Sequence, residues 1–170
     1  GDKNADTHAW DGAAAYFKDN YSASDASNWR TSNWSQLRSI NFYLDNMRNA
    51  VASDAILDHY EGVGRFFRAL FYIDKVQTFG AVPWYDTSID ATDREALFKD
   101  RDNREFVASK ILEDLDYACT YCLTSDKYRV RASYIHRYVA LALKARFCLY
   151  EGTMRKYHAV AHIVEVEDII

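Results

Sequence analysis

The sequence has no surplus of positive charge. Its 21 Lys and Arg are scattered among 25 Asp and Glu, for a net charge of −4. Without a basic stripe a phosphate backbone finds no footing, which excludes nucleic acid as a partner. Cysteine is scarce and odd in number: Cys119, Cys122 and Cys148. Three thiols so spaced do not describe a disulfide framework, and the Cys119–Cys122 pair lacks the second ligand pair of a zinc site. Each sits among apolar neighbours and reads as a small buried hydrophobe. No apolar run approaches a membrane span, and no signal peptide or lipidation cysteine opens the chain. Proline occurs once, at Pro83. Catalytic patterns are missing too: there is no Ser-His-Asp set, no metal-ligand spacing and no phosphate loop. His8, His59, His136, His158 and His162 form no constellation, and Asp114 and Asp116 leave a helix in different directions, unlike a glycosidase pair. The expectation is a protein that is not an enzyme and carries no cofactor or metal.

What is present is a packed, aromatic globule. Of 170 residues, 49% are hydrophobic and 15% aromatic, enough for one domain that removes about 70% of its unfolded surface from water. Residues 58–86 form the centre of the pattern. Tyr60, Val63, Phe66, Phe67, Leu70, Phe71, Ile73, Val76 and Phe79 are spread over most of a helix's girth, which predicts a central helix covered on more than one side. Gly80 supplies the left-handed stop and Pro83 prevents resumption.

Around this centre the periodicity predicts helices over 34–52, 54–79, 103–122 and 132–151. Trp34, Leu37, Ile40 or Asn41, Leu44, Met47 or Arg48, and Val51 form the first stripe, capped by Ser32 or Asn33. Val107, Ile111, Leu115, Ala118 and Cys122 form the third, with Asp102 and Glu105 spaced as a capping box. Ile135, Tyr138 or Val139, Ala142, Ala145 or Arg146, and Leu149 form the fourth. Arg68 stands among Phe66, Phe67, Leu70 and Phe71, so it is expected to be buried and paired rather than catalytic. Residues 20–33 read as a polar loop containing Trp29, and residues 80–103 as a long, partly exposed connection that begins with Trp84 and Tyr85.

The segment Gly64-Arg65-Phe66-Phe67-Arg68-Ala69, then Phe79-Gly80, then Val82-Pro83, resembles the signature of the SusD/RagB family of outer-membrane nutrient-binding lipoproteins. Further matches lie at Arg104, Glu105, Ile111, Asp114, Leu115 and Ala118, and at Ala142, Ala145, Arg146, Phe147, Leu149, Tyr150 and Gly152. A partial one lies at Trp34, Ile40, Asn41 and Leu44. The acid that follows the family's first glycine is replaced by Arg65. The resemblance covers residues 34–158.

It implies an all-α fold of stacked, tetratricopeptide-like helix pairs, with residues 1–170 as the N-terminal helical domain of a longer chain. It also implies a surface-exposed lipoprotein of the outer membrane, its lipid anchor outside this chain. Such a protein captures an oligosaccharide or other nutrient and works with a SusC-like TonB-dependent transporter. The alternative is a tetratricopeptide-like interaction scaffold with no small-molecule ligand. A sugar site needs an aromatic face beside polar side chains on a loop. Two stretches offer this: Asn28, Trp29 and Arg30 before the first core helix, and Trp84, Tyr85 and Asp86 after the central one. Packing roles for Trp29 and Trp84 compete with ligand roles.

Overall fold

The computed structural model describes residue 29 and residues 31–90, 92–124 and 134–158. Among the described residues the α-helices are α1 (Thr31–Asn46), α2 (Asp54–Phe79), α3 (Arg94–Leu97), α4 (Arg104–Tyr121) and α5 (Arg137–His158), with a 3-10 turn at Met47–Asn49 after α1. No β-strand occurs among the described residues; a single bridge joins Val82 to Asp102. The fold is all-α, as the periodicity predicts. The chain divides into two compact units, residues 1–36 and residues 37–170.

In the larger unit, α2 and α4 pack together and α5 packs on α4. The seam of α4 is the one read from sequence: Val107, Ile111, Leu115, Ala118 and Cys122 are all fully buried. At one point α2 comes especially close to the end of α4. A side chain at Gly62 would begin 2.9 Å from the Cys122 sulfur, so only glycine fits without displacement. Just N-terminal to it, buried His59 accepts a hydrogen bond at Nδ1 from the Leu123 amide, 3.1 Å away, satisfying backbone at the close of α4. Gly80 ends α2 with φ +71°, a conformation that a side chain would strain, and its amide returns to the Val76 carbonyl.

α4 and α5 run antiparallel, fixed at both ends by charge. At one end Arg104 bonds Glu151 twice, at 2.9 and 2.6 Å. Arg155 joins the same cluster, pairing with Glu151 and Glu105. At the other end Arg137 donates to the Thr120 carbonyl at 2.6 Å. Glu151 and Arg155 are both fully buried, and each is tolerable there only because the other elements supply counter-charge.

This cluster corrects the predicted face of α5. Of the expected inward positions, Ile135 and the alternative Val139 are partly buried against the core, but Tyr138, Ala142, Ala145, Arg146 and Leu149 are exposed; those buried are Ala140, Phe147, Cys148, Glu151, Gly152 and Arg155. An apolar stripe ranks Glu151 and Arg155 as surface, whereas their pairing turns the helix so that they face α4. The same pairing carries α5 through Gly152 to His158, beyond the predicted end at 151. Its start is Arg137, and residues 125–133 lie outside the described part.

Smaller differences have local causes. α1 starts at Thr31, before its expected caps, and Val51 is fully exposed rather than on the stripe, since the helix ends in the 3-10 turn. α4 is capped by Asn103, which accepts from the Glu105 amide. Asp102 is engaged elsewhere, accepting from the Trp84 amide and pairing with Lys99. The connection 80–103 contains α3, capped by Asp93. On α2, Tyr60, Phe67 and Leu70 stay 38–45% exposed, so among the described residues that flank of the central helix is uncovered.

Two measurements check this packing. Ile111→Ala removes a fully buried side chain at the α2–α4 contact and is expected to lower stability by about 2–5 kcal/mol in denaturant unfolding. Burial also lowers the pKa of His59 from its ordinary 6.5. The folded state therefore holds His59 neutral while the unfolded state binds a proton, and its contribution to stability is lost as pH falls below 6.5. His59→Asn, which keeps an acceptor but cannot titrate, is expected to flatten that part of the pH–stability curve relative to wild type.

Candidate functional site

Arg68 is the point from which the site is built. It leaves α2 only 7% exposed and meets α4 in a two-pronged pair: Nε to Asp114 Oδ2 at 2.6 Å and Nη2 to Asp114 Oδ1 at 2.7 Å. Its remaining terminal nitrogen, Nη1, donates to the Asp86 carbonyl at 2.8 Å. One guanidinium thus ties α2, α4 and the connection after α2. Burial pulls the Arg68 pKa down, but the hydrogen bonds and charge of Asp114 more than offset it, and the net shift is upward. For Asp114 burial wins: its pKa is raised despite the bonds from Arg68. The burial and pairing of Arg68 were legible in the sequence as an arginine among phenylalanines; its partner Asp114 lies among the family-like positions from Arg104 to Ala118.

The connection is clamped from two further sides. The Tyr72 hydroxyl donates to the Pro83 carbonyl and accepts from the Tyr85 amide, at 3.2 and 2.7 Å. Asn41 of α1, 1% exposed, donates its side-chain amide to the Tyr85 and Thr87 carbonyls. Trp84 stacks on Tyr72 with ring centroids 4.3 Å apart, and the Arg68 guanidinium lies 5.4 Å from the indole. These contacts hold the backbone of residues 83–87 against the core, with Pro83 and Trp84 buried and Asp86 and Thr87 exposed.

Beside this anchor a cleft of about 440 Å³ opens between the end of α1, the 3-10 turn, mid-α2, residues 84–87 and mid-α4. Its cations are Arg48, Arg65, Arg68 and Lys110; its carboxylates are Asp45, Glu61, Asp86, Glu113 and Asp114. Glu61 takes Arg48 and Arg65, and Asp114 takes Arg68 with Arg65 at 3.6 Å. Lys110 pairs with Glu113 one turn on, and Asp45 accepts from the Ser88 amide and hydroxyl. Burial would raise the Glu61 pKa, but the bonds from Arg48 and Arg65 outweigh it and hold the carboxyl below its usual range. Tyr117 supports this side, with Arg65 4.2 Å from its ring centroid and Arg48 bonded to its hydroxyl. Burial and the nearby Glu61 and Asp58 push the Tyr117 pKa up to about 12, so it remains a neutral donor. Sequence reading missed Arg48, Glu61 and Lys110, since each looks like an ordinary solvated charge.

The expected ligand residues divide. Asn28 and Arg30 lie outside the described residues. Trp29 is half-buried, edge-to-face with Trp34 at a centroid distance of 5.3 Å. Trp84 is 6% exposed and stacked on Tyr72, so it packs in the core rather than presenting a face to a sugar. Tyr85 is half-buried and donates its hydroxyl to the Ala96 carbonyl. Asp86 is exposed at the cleft wall. Cys122 and Cys148 are buried thiols and Cys119 is half-buried; burial pushes the Cys122 thiol up to about 11, which keeps it protonated.

Arg68→Met is expected to cost up to about 3–5 kcal/mol at neutral pH, because buried Asp114 loses its two-pronged partner and keeps only the longer pair with Arg65 at 3.6 Å. Its carboxyl is already raised by burial, and removing Arg68 raises it further. The deficit against wild type therefore shrinks as pH falls and Asp114 takes up a proton. Unfolding midpoints of both proteins across the acid range check this; a deficit constant with pH contradicts it.

No family model matches the sequence, and no curated protein matches it. Several solved structures match the fold. A SusD-like protein from Bacteroides fragilis aligns with TM-score 0.60 and 22% identity over 70% of this chain and 23% of its own. A laminarin-binding SusD-like protein aligns with TM-score 0.62 and 20% identity, over 76% of this chain and 28% of its own. Surface glycan-binding protein A from Bacteroides fluxus gives 0.55 and 20%, over 73% and 26%. The chain spans about a quarter of the length of these structures. Its helices, anchored by the Arg68–Asp114 pair, have the fold of the corresponding helical part of SusD-like proteins.

Proposed function

We propose that this chain is the N-terminal helical part of a SusD/RagB-family lipoprotein that binds a glycan at the bacterial outer surface without chemically altering it. The observation that carries the reading is the coincidence of motif and structure. Arg68, Gly80 and Asp114 stand at the motif positions of the resemblance, and in the fold they form the helix–helix anchor and the helix stop. Structures of the same fold include one described as laminarin binding and one described as a surface glycan-binding protein. The full protein would be tethered by a lipid outside this chain and would deliver its ligand to a SusC-like TonB-dependent transporter.

Binding, rather than catalysis, suits the charges of the cleft. Glu61, Asp114 and Glu113 are held in ion pairs, a poor state for giving or taking protons at a substrate. For stacking, the half-buried Trp29–Trp34 pair is the platform we propose, with Asn28 and Arg30 as hydroxyl partners. An interaction scaffold without a small ligand is the second reading. The uncovered apolar flanks favour it, namely Tyr60, Phe67 and Leu70 on α2 and Tyr138, Leu141 and Leu149 on α5.

A calorimetric screen of oligosaccharides against the full-length protein separates the two. The first reading expects saturable binding that weakens about tenfold or more in Trp29→Ala, equivalent to about 1.4 kcal/mol. Retention of affinity within about twofold places the platform elsewhere, and failure of every glycan favours the scaffold.

A further inference from the structure

We draw no further inference here: the strongest candidate, the exposed apolar face of α5 formed by Tyr138, Leu141, Ala142, Ala145 and Leu149, carries none because nothing in the structure shows what covers it.

Discussion

The bidentate pair between Arg68 and Asp114 is the constraint on which the larger unit depends. It joins the two longest-packed helices and, through the third guanidinium nitrogen, fixes the backbone at Asp86. Desolvating two opposite charges is costly, and the geometry that compensates is demanding: planar, two-pronged and fully enclosed. Only one relative placement of α2 and α4 satisfies it. Trp84 and Tyr72 then fill the space on the other side of the guanidinium, which turns the first residues after Pro83 into core. The pair acts as a register pin more than as a source of raw stability, since a hydrophobic substitute of similar volume would avoid the desolvation cost.

A second set of charges does the same work for α5. Glu151 and Arg155 are fully buried one helical turn apart and close on Arg104 and Glu105 at the start of α4. Both clusters place an arginine from one helix against an acid from another, with apolar packing between them. The cleft is a by-product of the first cluster. Where α1, the 3-10 turn and α4 meet around Arg68, side chains are committed to ion pairs and cannot collapse into the gap.

Much of this was legible from the sequence, and the remainder was hidden for identifiable reasons. The seam of α4 follows from plain periodicity, because every inward position is apolar. The stop of α2 follows from Gly80 and Pro83, and the burial of Arg68 from its aromatic neighbours. The face of α5 could not be found this way. Its buried side contains a glutamate and an arginine, and a hydrophobic stripe counts charged residues as solvent-facing whatever their partners. The partly uncovered flank of α2 has the opposite cause: Tyr60, Phe67 and Leu70 are apolar, yet among the described residues they stay 38–45% exposed. At the site, aromatic type suggested Trp84 as a sugar platform, yet its face is taken by Tyr72, a residue twelve positions earlier in sequence. Arg48, Glu61 and Lys110 escaped notice because cleft-lining charge has no one-dimensional signature.

The most direct test of the central claim is a double-mutant cycle at the pair, by urea unfolding of wild type, Arg68→Met, Asp114→Leu and the double variant. A register pin predicts strong coupling: the double variant recovers much of the loss seen in either single one, with an interaction energy of about 2 kcal/mol or more. Additive losses, with coupling below about 0.5 kcal/mol, would contradict it and show that the two helices are placed by apolar packing alone.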